Sequence, residues 1–287
     1  MKKFFLRFLA FVVVIVFFIG CEEHQIETQQ IKTDSSNVDT IAAIVSARNY
    51  GDTLVSGTLK VYPLQDSPSF NDAILTLNTP TEKELLQSEK AHFTYDIKNY
   101  QLSKPTKEGS CAMDCANSKE GQHIHLILNN EPYLAKYTPE FDETLKPGHY
   151  VALSFLSRSY HESIKHYEAY DLRQFTVGAV KEKEVDLTQP MLFYSRPKGQ
   201  YKGKETKKVL LDFYVINATL GINDFSVRAT IDGNVFLLNS WKGYLIEGLA
   251  GGVHDIKIEL LDKNGNLAKS PYASTKRSIK LSPEETN

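Results

Sequence analysis

His123 and His125 alternate within Gly121-Gln122-His123-Ile124-His125-Leu126-Ile127-Leu128. On an extended strand, residues two apart share a face, so the two imidazoles run parallel and their ring nitrogens can converge. Two imidazoles on one strand are a common beginning of a zinc or copper site. Such a site needs further donors. His161, in Ser159-Tyr160-His161-Glu162-Ser163, follows the next long apolar segment and supplies a third imidazole. Cys111 and Cys115, in Gly109-Ser110-Cys111-Ala112-Met113-Asp114-Cys115, lie shortly upstream. Two thiolates with two imidazoles suit zinc, and sulfur with imidazole suits copper. The alternative reading of the histidine pair is a solvated or hydrogen-bonded strand face. Ile124, Leu126 and Leu128 form the better core face, which predicts imidazoles pointing outward. Neutral imidazole is the ligating form, so metal affinity is expected to fall below a pH of about 6.5.

The elements that must position these residues read as strands. Alternation or β-branched and aromatic enrichment marks 73–78, 90–100, 123–128, 133–137, 149–156 and 173–177 in one half. The same signals mark 191–194, 209–216, 225–231, 235–238, 254–261 and 277–281 in the other. Asn129-Asn130 and Asp232-Gly233 are hairpin turns at corresponding places, and Pro147-Gly148 and Gly251-Gly252 each lead a strand. Ser226 and Arg228 stand in the second half where His123 and His125 stand in the first. No segment has a persuasive helical period. The fold class is therefore all-β, with two tandem immunoglobulin-like β-sandwiches at residues 69–180 and 187–283. The charged run 181–186 is the expected linker. Residues 41–68 hold a strand pair, 42–47 and 57–63, expected to pack on the first sandwich.

Composition narrows the function. The formal net charge is −2, so there is no basic excess and no nucleic-acid partner is expected. No Gly-rich phosphate loop, nucleophile elbow or H-E-x-x-H motif occurs. Without paired carboxylates or a nucleophile–base pair, the chain is not expected to be an enzyme. Arg158 and Arg173, with Lys165 nearby, are candidate anion-binding residues.

The N-terminus fixes the compartment. Lys2 and Lys3 precede an apolar run from Phe4 to Ile19, closed by Gly20-Cys21. This resembles the lipobox of bacterial lipoproteins, which implies removal of residues 1–20 and acylation of Cys21. Residues 21–40 are polar and read as a flexible tether. The expected product is an outer-membrane lipoprotein facing the periplasm or the cell surface, with the membrane as a partner through its lipid anchor. In that oxidising setting Cys111 and Cys115 also read as a disulfide, closing a small loop with modest entropic gain.

Three segments resemble a family of secreted Gram-negative lipoproteins often labelled phosphopeptide-binding proteins. They are Gly121 to Asn130 with Pro132-Tyr133, Leu145-Lys146-Pro147-Gly148-His149, and Phe155 to Ser163. They also resemble a periplasmic family of unknown function built on a histidine-rich G-x-H-x-H strand. The resemblance covers about residues 70–178 and implies a ligand class without a mechanism. The Cys111–Cys115 pair is not part of that pattern. The function expected from the sequence is thus a lipid-anchored binding protein with a ligand or metal site at His123, His125 and His161, copper and zinc being the candidate ions. The alternative is an adhesion or envelope-assembly module that binds protein, phosphopeptide or polysaccharide.

Overall fold

The computed structural model describes residues 48–181 and 183–284. The signal segment, Cys21, the tether and residues 41–47 lie outside the described residues.

The first sandwich packs a three-stranded sheet on a five-stranded one. The smaller sheet is β4 (Ile74–Thr79), β6 (Lys90–Lys98) and β9 (Glu140–Thr144). The larger has the order β5 (Leu85–Leu86), β11 (Tyr170–Val177), β10 (Gly148–Ser157), β7 (His123–Leu128), β8 (Leu134–Lys136). Alternation in β4 and β6 puts Leu75, Leu77, Phe93 and Tyr95 inward, against Ile124, Leu126, Ala152 and Phe175 of the facing sheet.

The second sandwich repeats the larger sheet. Its order is β13 (Gly199–Lys202), β19 (Ser274–Ser282), β18 (Gly252–Leu261), β15 (Ser226–Ile231), β16 (Asn234–Leu238), with the first strand parallel to the second in both cases. The facing sheet has six strands: β1 (Arg48–Tyr50), β2 (Thr53–Ser56), β3 (Leu59–Pro63), β17 (Tyr244–Glu247), β14 (Val209–Ile216) and β12 (Met191–Arg196). Each hairpin turn takes the left-handed conformation that the sequence signals: Asn129 and Asn130 at φ 51° and 59°, Asp232 and Gly233 at 47° and 83°.

Two expectations are corrected. Of the strand pair expected at 42–47 and 57–63, the first member lies outside the described residues, and the second, β3, joins the second sandwich instead of the first. β3 pairs with β17, and Leu59 and Val61 enter the core of the second sandwich. The reason is that β17 would otherwise leave a row of unpaired backbone groups at a sheet edge. The sandwiches are also not merely tandem. Ile127, Val151, Leu153 and Phe155 of the first pack against Met191, Phe193, Tyr214 and Ile216 of the second. Burying a large apolar side chain is worth about 1.5–3 kcal/mol, so this layer is a true second core. The β7–β8 turn is locked into it. The Asn130 amide donates to the Leu192 carbonyl at 2.9 Å and to the Thr275 hydroxyl at 2.7 Å, and its oxygen accepts from the Tyr194 N–H at 2.8 Å.

One consequence decides the site. Strand β7 is covered on both faces, and its burial is continuous instead of alternating. Leu126 and Ile124 face their own sandwich, while His123, His125 and Ile127 face the other. The imidazoles expected to point outward are fully buried.

Candidate metal centre

Three elements bring the imidazoles together. β7 supplies His123 and His125, held in register opposite Ser157 and Phe155 of β10. The chain then leaves β10 in a tight turn. Within it the His161 N–H donates to the Arg158 carbonyl at 2.8 Å, and the Arg158 N–H donates to the Glu162 carbonyl at 2.9 Å. His161 sits at φ 70°, a conformation that side-chain-bearing residues adopt at a cost of order 1–2 kcal/mol. This turn carries the His161 ring back over the end of β7. The ring nitrogens that the three histidines offer lie within 4.8 Å of one another.

Proton counting shows what the cluster lacks. The Gly121 carbonyl lies 2.7 Å from His123 Nδ1 and can only accept, so that nitrogen carries the proton. Gly121 is required for this approach, since it adopts φ 88° and a Cβ there would lie 2.7 Å from the Ser103 carbonyl carbon. His123 Nε2 is then left with one lone pair. Two nitrogens face it, His125 Nε2 at 2.8 Å and His161 Nδ1 at 3.0 Å. Either both must donate into that single lone pair, or at least two lone pairs confront each other. A bound cation removes the conflict, because lone pairs are what it requires.

The surroundings fit that role. The Ser195 hydroxyl, 3.2 Å from His125 Nδ1, can hold this ring with its Nε2 lone pair inward. Orientation by a carbonyl or hydroxyl is the usual device for metal-ligating imidazoles. The Tyr133 hydroxyl lies 3.2 Å from His161 Nδ1, and its ring stacks on His125 with centroids 3.5 Å apart. An ion 2.0–2.1 Å from each nitrogen would space tetrahedral donors by about 3.3 Å. The two short separations, 2.8 and 3.0 Å, must therefore open by a few tenths of an ångström, while the His125 and His161 nitrogens, within 4.8 Å of each other, are free to draw together around the ion.

Electrostatics keep the cluster neutral. Burial pushes His123 down to about 4, against the opposing Gly121 hydrogen bond, with Arg196 and Lys198 adding to the depression. His125 and His161 are held well below the ordinary imidazole value, first by burial. The neighbouring imidazoles, Arg196 and Lys198 add to this. All three therefore remain neutral at pH 7, in the form that binds metal. Proton competition in the folded centre starts near pH 4 at His123, not near the 6.5 expected for an exposed ring.

The other sequence candidates are not part of this cluster. Cys111 and Cys115 are joined by a disulfide. It is buried with Leu64, Tyr160, Leu210 and Leu245, so these sulfurs are not thiolate donors. Arg158 contacts Glu162 at 3.3 Å and also donates to the Pro68 and Ser163 carbonyls. Arg173 forks onto Asp171 at 2.6 and 2.8 Å. Neither guanidinium is open to an external anion. His149 bonds to Gln174 and Thr176, away from the cluster.

Tyr133, Ser195, Arg196 and Lys198 were not singled out from the sequence as site residues. Three of them come from the second sandwich. The signal was present in the apolar run 191–194 and in 209–216, apolar but for Asp212, which mark strands covered on both faces and so imply a covering body.

No family model matches the chain, and no curated protein matches it. Solved structures with some likeness include the fibronectin(III)-like modules of Clostridium thermocellum CbhA, at 14% identity. That match covers 75% of this chain and 97% of that one, with a TM-score of 0.25. A Bacteroides ovatus glucan-utilization protein, SGBP-B, solved with a mixed-linkage heptasaccharide, is 8% identical over 72% of this chain and 70% of its own, with a TM-score of 0.23. The tandem V-type regions of the chitin-binding protein VCBP3 are 8% identical over 73% and 99%, with a TM-score of 0.21. Scores this low say nothing about function.

Proposed function

We propose that the protein is a lipid-anchored extracytoplasmic binding protein whose centre holds a copper or zinc ion through His123, His125 and His161. The observation that carries this reading is the convergence of three neutral imidazoles with one lone pair facing two nitrogens. Calorimetry with copper and zinc tests it. One ion per chain is expected for the wild type, with loss of binding in the His123→Ala, His125→Ala double variant. Equal weak binding in both proteins, or none in either, overturns it. Anchoring is tested separately: Cys21→Ser should release the protein from carbonate-washed membranes.

A second reading has its own observation. A cleft of about 770 Å³ is lined by Phe70, Tyr100, Asn99, Gln101, Lys104 and Gln122. Two aromatic rings among polar side chains suit an adhesion or assembly module that binds polysaccharide or peptide. Pull-down on envelope polysaccharides and peptides, with wild type against Tyr100→Ala, distinguishes it. Loss of capture in the variant with metal content unchanged would favour this reading.

A further inference from the structure

Of the five arginines whose side chains are described, Arg158, Arg173 and Arg228 each meet a carboxylate. Arg196 and Arg277 do not, and neither does Lys198, among the described residues. Arg196 is 8% exposed, and its Nε has no hydrogen-bond partner among the described residues. Its Nη1 donates to the Tyr201 hydroxyl at 2.9 Å, and the Tyr133 hydroxyl is a second neutral partner. Its guanidinium carbon lies 5.4 Å from the centre of the Tyr133 ring, and Lys198 Nζ lies 3.7 Å from the same centre. Arg277 reaches the same region. It donates to the Ser195 carbonyl at 3.2 Å and the Asn130 carbonyl at 3.1 Å, and lies over the Tyr194 ring. Three cations thus meet where the two sandwiches join, with aromatic rings and carbonyls as their neighbours and, for Arg277 alone, the Glu131 carboxylate beyond ion-pair distance.

A buried charge without a counter-charge is costly, because the hydration it gives up is not replaced. Lys198 registers that crowding. Burial, and then the positive charges of Arg196 and Arg277, push it down to about 8. The cost is offset if the missing counter-charge is a ligand. A guanidinium presents N–H donors in a planar fork that matches the oxygens of carboxylate or phosphate. Lys198 is only half-buried and the adjoining Gly199 and Gln200 are exposed, so this side opens to solvent.

We infer that Arg196, with Lys198 and Arg277, forms a receptor for a small oxyanion beside the histidine cluster. This goes beyond the metal reading, since Arg196 and Lys198 meet no carboxylate among the described residues whether or not the imidazoles hold an ion, and only Arg277 feels one, from Glu131. When a metal is bound, its added positive charge tightens the anion, and the anion lowers the local charge that opposes the metal.

The test is calorimetric titration of the purified full chain with inorganic phosphate, at ionic strength matched with chloride. It is done metal-free and after loading with copper. Saturable binding is expected in the metal-free protein, tighter after loading. Arg196→Met should weaken it about tenfold or more, the loss of one charge-assisted hydrogen bond. Lys198→Met, at the half-exposed position, should weaken it less, and keeps the test decisive if Arg196→Met does not fold. Absence of saturable binding in the metal-free wild type overturns the inference, as does phosphate affinity unchanged in both variants. If copper fails to bind, the metal reading falls, and the metal-free titration still decides the anion receptor.

Discussion

In the first repeat, β7 turns His123 and His125 toward the neighbouring sandwich, and both are fully buried. In the second repeat, β15 sits at the same place in a sheet of the same strand order, but its burial alternates. Arg228 is half-buried there and pairs with Glu259 of β18 at 2.9 Å. The two strands differ less in their backbone than in what lies over them. A face left near water takes an ion pair, which gains little and costs little. A face sealed under a second core can hold neutral imidazoles, because there the charged form is the expensive one. The lesson is that a histidine pair becomes a candidate metal centre through its cover, not through its spacing.

The strongest way to break this comparison is to disable each strand in turn. Removing both imidazoles of β7 should weaken copper or zinc binding more than about a hundredfold. Replacing Ser226 and Arg228 with alanine should leave it unchanged. Calorimetry that finds the two pairs of changes equivalent would deny the first repeat its special status.

Next in size is the cover itself. Phe193 is fully buried between the sandwiches. Phe193→Ala should cost about 3–5 kcal/mol in urea unfolding and weaken metal binding with it. On β15, Thr230→Ala should stay within about 0.5 kcal/mol. A small effect at Phe193 would mean that the interface is not a true core.

The third prediction concerns acid. His123 titrates near 4 when folded and near 6.5 when unfolded. Between those values the unfolded chain binds the extra proton, so stability rises with pH. The contribution is complete above pH 6.5 and is lost as pH falls toward 4. For His123 alone it amounts to roughly 3 kcal/mol. In the metal-free protein, unfolding free energies at pH 4.5 and 7 should differ less in His123→Gln than in wild type. An equal difference would place His123 nearer water than the structure does.

The smallest effect is expected at the ion pair that replaces the cluster. Arg228→Ala should cost about 0.5–1 kcal/mol, since Lys257 also contacts Glu259 at 2.7 Å. Thermal unfolding in low and high salt measures it, and a larger loss would show that β15 is sealed more like β7.

The sequence by itself determined most of the strands, though not β5, β9, β13 or β17, together with the hairpin turns and the internal repeat. These follow from side-chain alternation and from residues that tolerate the left-handed backbone, both local properties. It also named the three histidines. It misplaced β3, because β3 joins β1 and β2 to strands β17, β14 and β12 that lie about 130–190 residues further on, and strand partners at that distance leave no local trace. It turned His123 and His125 outward for a related reason. Alternation tells which faces are opposite, but not whether a second body covers the polar one. Only the tertiary structure decided that. It placed Ser195, Arg196 and Lys198 beside the imidazoles, set His161 at a positive φ, and closed Cys111 and Cys115 into a disulfide away from them. Burial sets the protonation of each of these imidazoles, and burial is a property of the packed chain.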